Sequence, residues 1–263
     1  MISLNLNPRP LAESATLARR ALVVLGSVGL TCHYSLLIIV RALFRRLDRG
    51  IVDNYCRKWS AALLRLVRAD LTVTGEVPDF SDGRRYIILC THASHYDIPV
   101  TFVSLPGSIR MLAKKELFRL PLLGRAMRAA EFPSIDRRDR QRALADLRRA
   151  KEMMEDGIVL WAAPEGTRSP DGQLLPFKKG CFHLAMDTDA VIVLVAVRGI
   201  HKVLPARTCQ INLGLPVEVC VGAPIDTAGR SKDEMPELMA EVRSQMQLLL
   251  SGDTGQGGNP LAS

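Results

Sequence analysis

The sequence predicts an α/β protein: a mixed sheet flanked by helices, with an N-terminal hydrophobic helical membrane anchor. Three observations predict it. Continuous apolar runs such as "AVIVLVAV" at 190–197 suit strands covered on both faces of a sheet. Between those runs lie stretches with apolar residues at helical spacing. Near the start, Ala21 to Val40 is an unbroken stretch without a formally charged side chain.

Taken in order, residues 1–69 form the membrane-associated helical segment. Ala21 to Val40 has the length of a helix of about 30 Å, the thickness of a bilayer core. Thr31, His33, Tyr34 and Ser35 lie inside it, so a buried helix of a soluble body is the alternative. A cleaved signal peptide leads into small residues, whereas this stretch leads into Arg41, Arg45, Arg46 and Arg49. The same basic cluster predicts a body on the cytoplasmic face of the inner membrane. Residues 51–68 place Trp59, Leu63, Leu64 and Val67 on one helical face, with Arg57, Lys58, Arg65 and Arg68 between them. That stripe packs either on the protein or on a lipid surface with its arginines turned to phosphates.

Residues 70–250 form the α/β domain. Leu71–Thr74, Tyr86–Cys90, Ile158–Ala162, Ala190–Val197 and Val217–Val221 read as strands. Arg140–Glu155 reads as a helix with Leu144, Leu147 and Met154 inward, stopping before Gly157. Ser231 and Glu234 have capping-box spacing ahead of a helix burying Leu238, Met239, Val242, Met246 and Leu249. Residues 251–263 are Gly-rich and predict a disordered tail.

Composition narrows the chemistry. A formal net charge of +8 predicts an anionic partner without choosing among lipid, phosphorylated metabolite and nucleic acid. Six cysteines lack C-x-x-C or zinc-ligand spacing, so they read as reduced thiols of a cytosol-facing protein. There is no G-x-S-x-G, no phosphate loop ending in Gly-Lys-Ser/Thr and no H-E-x-x-H. A serine hydrolase, an NTPase and a zinc protease are therefore unsupported.

"THASHYD" at 91–97 directly follows the strand "YIILC". The carboxyl end of a strand in an α/β sheet is where ligands and reacting groups gather. On a regular helix, residues spaced like His92 and Asp97 point about 140° apart. They meet only if His92 lies in the turn before a helix and Asp97 in its first turn. A carboxylate holding a ring N–H fixes the tautomer and raises basicity, as a general base requires. An isolated His–Asp pair is also common as plain structure, and His95 competes for the same aspartate. "APEGTRSPDG" at 163–172 follows the strand "IVLWA". Gly166 permits close backbone approach and Arg168 offers a planar fork for phosphate. Glu165 either orients Arg168 or accepts from a hydroxyl; a turn held by a Glu–Arg pair is the bland alternative. Lys178 and Lys179 follow in "PFKKG", Lys114 and Lys115 lie in "LAKKEL", and Arg137 and Arg138 lie in "FPSIDRRDR".

In this order, these stretches resemble the blocks of the glycerolipid acyltransferase family, which includes 1-acyl-glycerol-3-phosphate acyltransferases. His92 to Asp97 resembles its H-x-x-x-x-D block, Ile135-Asp136-Arg137 its second, and Pro164 to Ser169 matches Pro-Glu-Gly-Thr-Arg-Ser outright. Val191 to Val197 resembles the fourth, with Leu194 where a proline is usual. Thr91 stands where an asparagine is common, and Ala163 where a phenylalanine is. The resemblance implies acyl transfer from an acyl thioester, acyl-CoA or acyl carrier protein, to the hydroxyl of 1-acyl-glycerol 3-phosphate, giving phosphatidate. His92 and Asp97 would be catalytic. Arg137, Glu165, Gly166, Thr167, Arg168, Lys114, Lys115 and Lys178 would bind substrate. No metal or bound cofactor is implied. Partners would be a lysophospholipid acceptor, the thioester donor and membrane lipids, not nucleic acid. The same chemistry on another lysolipid, such as a lyso-ornithine lipid, is the second reading, and a non-catalytic lipid-binding protein the third.

Overall fold

The computed structural model describes residues 2–4, 13–136 and 140–252. Two helices come first, α1 at Leu17–Leu43 and α2 at Arg49–Leu66. Thr16 caps α1 by accepting from the Arg19 amide at 3.3 Å, and Asp48 caps α2 by accepting from Ile51 at 2.8 Å. α1 is long and apolar enough to cross a bilayer by length and composition.

The sheet follows, with strands β1 at Ile2–Leu4, β2 at Asp70–Thr74, β3 at Tyr86–Cys90 and β4 at Ile109–Met111. It continues with β5 at Val159–Ala162, β6 at Val191–Arg198, β7 at Pro216–Val221 and β8 at Ile225–Asp226. The spatial order is β1-β2-β7-β6-β3-β5-β4, with β8 also against β6. β6, β3, β5 and β4 run parallel to one another, while β7 and β8 meet β6 antiparallel. The sheet is therefore mixed, as the strand–helix alternation predicts.

Helices cover both faces. α3 spans Asp97–Ser104, α4 Pro121–Ala129, α5 Arg140–Glu155, α6 Gly180–Asp187, α7 Ile200–Val203 and α8 Met235–Ser251. Alternation along the central strands divides the core in two. Ile88, Cys90, Val193 and Val195 join the cluster containing Leu64 of α2, Val100 of α3 and Ile200 of α7. Ile87, Leu89, Ile192 and Leu194 join the cluster with Met154 of α5, Phe182 of α6 and Val242 of α8. Leu194 thus sits in the core, where a buried β-branched or γ-branched chain packs and a proline would remove a ladder N–H.

The amphipathic stripe of α2 packs on the protein rather than on lipid. Leu63, Leu64 and Val67 are buried, and Trp59 packs against the same cluster. The expected helix at 140–155 and the Ser231–Glu234 capping box are both present, the latter opening a short 3₁₀ turn ahead of α8. α8 runs through Ser251 and ends where Gly252 takes a left-handed φ of 83°, so the helix reaches into the stretch expected as tail. Residues 253–263 lie outside the described residues. All six cysteines are free; Cys90, Cys181 and Cys220 are buried, whereas Cys32 and Cys209 are exposed.

Candidate active site

β3 and β5 are neighbouring parallel strands, with Leu89 opposite Ala162. The segments that follow them, "THASHYD" and "APEGTRS", therefore leave the sheet side by side at its carboxyl end. Topology alone brings together two motifs far apart in sequence.

His92 sits in the turn, and Asp97 is the first residue of α3. This is the arrangement that their pairing requires. Nδ1 of His92 lies 2.8 Å from Oδ2 of Asp97. The same oxygen accepts from the backbone amides of Ala93 and Ser94, each at 2.8 Å. Asp97 is fully buried, and its Oδ1 has no hydrogen-bond partner among the described residues. The carboxylate is thus locked by two amides and aimed at one ring nitrogen. Nδ1 carries the proton in this arrangement, which leaves Nε2 as the free base. The His92 ring stands edge-on to Trp161, with centroids 5.8 Å apart. Trp161 Nε1 donates to Thr101 Oγ1 at 3.2 Å, and Thr101 donates to the Asp97 carbonyl at 2.8 Å, so the wall behind the pair is itself tied to α3.

The two motifs are stitched through backbone groups. Glu165 is buried, and its Oε1 accepts from the His92 amide at 3.1 Å while Oε2 accepts from Leu175 at 2.9 Å. Burial pushes its carboxyl up from the usual range, and the Leu175 and His92 amides oppose the shift. Glu165 was expected to meet substrate or to orient Arg168. Its geometry makes it a strut under the His92 turn, with each oxygen accepting from one main-chain donor. Ser169 donates its amide to the His92 carbonyl at 2.7 Å, a second stitch. Thr91 is buried, and its Oγ1 accepts from Val197 at 3.0 Å, which pins the start of the turn to β6.

The other expected residues divide. Gly166 holds a φ of +69°, with its open face toward the Lys178 side chain, so the loop turns where an L residue is strained. Thr167, Lys114 and Lys178 are exposed, and Arg168 is partly so. Arg168 and Lys114 have no hydrogen bond or ion pair with described residues, and both act electrostatically on His95. Lys115 is different: its Nζ lies 3.3 Å from Asp136 Oδ2, which makes it a brace between two loops and not a free cation. Arg137 and Arg138 lie outside the described residues.

An apolar cavity of about 530 Å³ is lined by His95 and Tyr96 of the same turn, within the range of about 300–1,000 Å³ typical of ligand sites. His95, Tyr96 and Met111 line it near the turn; Trp59, Phe102 and Met127 line it further in. Val24 and Val28 of α1 also line it, yet both are more than half exposed, so it opens along α1. The sequence gives no local signal for this cavity, since its walls come from α1, α2, α3 and α4 together. Among the described residues no group of His, Cys, Asp and Glu side chains is arranged to hold a metal ion.

The site thus combines a His–Asp pair built for acid–base work, Arg168 and Lys114 side chains without ion pairs among the described residues, and an apolar cavity lined by the same turn. A family model described as Acyltransferase matches residues 70–198, the strands and motifs that build this site. The chain belongs to the glycerolipid acyltransferase family. It is 34% identical over 180 residues to a 1-acyl-sn-glycerol-3-phosphate acyltransferase of Saccharomyces cerevisiae, covering 67% of this chain and 58% of that one. It is 31% identical to the protein of that name from Cocos nucifera, covering 73% and 61%. It is 30% identical to the human alpha form, covering 69% and 65%. The chain thus spans about three-fifths of the length of these relatives. In fold it is similar to the 1-acyl-sn-glycerophosphate acyltransferase PlsC of Thermotoga maritima, with a TM-score of 0.74 at 24% identity, covering 92% of this chain and 98% of that one.

Proposed function

We propose that the protein transfers a fatty acyl chain from an acyl thioester to the free hydroxyl of 1-acyl-glycerol 3-phosphate, forming phosphatidate. The observation that carries this reading is the His92–Asp97 pair, 2.8 Å apart, in the turn whose His95 and Tyr96 line an apolar cavity. Nε2 of His92 takes the proton as the acceptor oxygen attacks the thioester carbonyl. Asp97 holds the imidazole tautomer and stabilises the imidazolium, the role its counterpart plays in a protease triad. Collapse of the tetrahedral intermediate breaks the C–S bond, and the imidazolium returns its proton to the departing thiolate. The acceptor brings its own hydroxyl, so the protein needs no nucleophile. The cavity takes an acyl chain, and Arg168 with Lys114 holds the acceptor phosphate, which places the hydroxyl at His92. Acyl-CoA and acyl carrier protein both fit the donor role.

Arg168→Ala tests this reading. It should lower kcat/KM for lysophosphatidate by about ten- to a hundredfold, the loss of a charge-assisted contact. Monoacylglycerol, which lacks the phosphate, should be affected far less. An equal loss on both acceptors would remove the phosphate from the Arg168 site.

The protein works at a membrane surface, with α1 lying within one leaflet instead of crossing it. α2 runs antiparallel along nearly the whole of α1 and supports this reading. Arg19 Nη2 donates to the Leu66 carbonyl at 3.3 Å, Trp59 Nε1 to Thr31 at 3.1 Å, and Arg41 Nε to the Tyr55 hydroxyl at 2.9 Å. A spanning α1 would drag α2, with Arg57, Lys58 and Arg65, into hydrocarbon. The outer side of α1 exposes Leu22, Leu25, Leu36 and Leu43, an apolar stripe flanked by arginines that suits an interfacial helix. The cavity opens along that same helix, so a lipid tail reaches it without leaving the bilayer. The test uses Leu17→Cys and Phe44→Cys variants, at the two ends of α1, in a background with the accessible Cys32, Cys56 and Cys209 replaced by serine, added to sealed vesicles. A membrane-impermeant thiol reagent outside should label both. Protection of one end alone would mean that α1 spans.

A further inference from the structure

His95 has no part in the chemistry above. It lies in the turn between β3 and α3, between His92 and Asp97 in sequence, and lines the apolar cavity. It is exposed there and makes no hydrogen bond to the described residues. The charged and titratable groups that act on it come from three places. Arg168 comes from the loop after β5, next to Ser169, whose amide donates to the His92 carbonyl at 2.7 Å; Lys114 comes from the segment after β4, and His92 and Asp97 lie in its own turn. Among the described residues the Arg168 and Lys114 side chains have no acidic partner, and Asp97, the one acidic group in the set, is fully buried and committed to His92 and two amides.

This setting governs the proton on His95. Desolvation pushes its imidazole below the ordinary value even though the residue is open to the mouth. Arg168, His92 and, more weakly, Lys114 push the same way, with Asp97 opposing. These groups together favour the neutral imidazole. A phosphate dianion placed among these groups reverses the balance. It cancels the cations, adds a negative charge, and gives the ring an acceptor.

We propose that His95 is a third contact to the acceptor phosphate, completing a site with Arg168 and Lys114 and taking up a proton as a phosphate monoester binds. The consequence is a positioning and specificity role tied to pH. Affinity for a phosphate-bearing acceptor gains from His95 as pH falls through the value it has in the complex, and that gain disappears above it. Neutral glycerides receive no such gain. The proposal rests on reading the Arg168 rim as the acceptor's phosphate site.

Two measurements on the purified full-length protein in mixed micelles test it. The first follows the His95 ring proton by NMR against pH, assigned by its loss in His95→Asn. Lysophosphatidate should raise the titration midpoint by about one pH unit or more, and monoacylglycerol should leave it in place. This reading needs no turnover, so it stands apart from whether the protein is an acyltransferase. The second compares KM for lysophosphatidate in the wild type and His95→Asn. The ratio of the two should widen by about fivefold or more between pH 8 and pH 6, with the ratio of kcat values constant. The comparison cancels titration of the phosphate and of His92, which both proteins share. An unmoved midpoint, or a KM ratio that is the same at both pH values, overturns the proposal and leaves His95 as a lip of the cavity. A moved midpoint in a protein that acylates nothing would keep the phosphate contact and sink the proposed function instead.

Discussion

Replacing His92 by alanine should remove acyl transfer almost completely, with kcat falling by about 10²–10⁴-fold, the usual worth of a positioned general base. The fold should survive. The His92 side chain is a surface of the turn, while the turn itself is held through its backbone: the amide by Glu165 at 3.1 Å and the carbonyl by Ser169 at 2.7 Å. Neither stitch needs the imidazole. The variant should therefore melt within a few degrees of the wild type and still bind lysophosphatidate, since Arg168 and Lys114 remain. Rate, melting temperature and acceptor binding together separate a lost base from a collapsed site. Full transfer by His92→Ala would refute the mechanism.

Asp97→Asn is the second large effect, and it should strike both activity and stability. The carboxylate oxygen Oδ2 accepts three N–H groups at 2.8 Å each. An asparagine keeps one acceptor oxygen and replaces the other with a donor. If that oxygen stays with the Ala93 and Ser94 amides, the imidazolium loses its counter-charge. If the amide turns, its NH₂ faces His92 and selects the tautomer with the proton on Nε2, which cannot act as a base. Either outcome should cost kcat on the order of 10³-fold or more, by analogy with the orienting carboxylate of serine proteases. In the second case the two backbone donors lose their acceptor, and each buried unsatisfied group costs about 1–3 kcal/mol. A lower melting temperature should then accompany the loss of rate. A variant that loses stability but keeps kcat would make Asp97 a scaffold for the turn and nothing more.

Much of this was legible from residue types, and the part that was not has physical reasons. Strands β3 and β6 announce themselves because both of their faces are buried, so every residue but Arg198 at the end of β6 is apolar. β4 does not, because it is three residues long and Arg110 stands in its centre. That arginine is fully buried. It is held by Asp53 at 2.6 Å and by the Ala130 carbonyl at 2.6 Å, partners that are remote in sequence. A charged residue reads as surface until those partners are known. His92 and Asp97 were legible as a pair because one turn joins them. The task of Glu165 was hidden, since its partner amide is 73 residues away and no spacing rule connects them. Thr91 stood out only as a departure from the family pattern. Its Oγ1 anchors the turn to Val197 on β6, which accounts for a hydroxyl-bearing residue at that position. His95 showed in sequence only as a competitor for Asp97, because its neighbours Arg168 and Lys114 come from other loops.

The central claim is that His92 directs acyl transfer to the hydroxyl of a phosphate-bearing lysolipid. The most direct measurement supplies the purified protein in micelles with an acyl-CoA and equal amounts of lysophosphatidate, a lysophospholipid with a larger headgroup, a lyso-ornithine lipid and monoacylglycerol. Products are then read by mass spectrometry. The account predicts phosphatidate as the main product, its loss in His92→Ala, and a poor yield from monoacylglycerol. Acylation of the lyso-ornithine lipid or the larger lysophospholipid while lysophosphatidate stays untouched would contradict it.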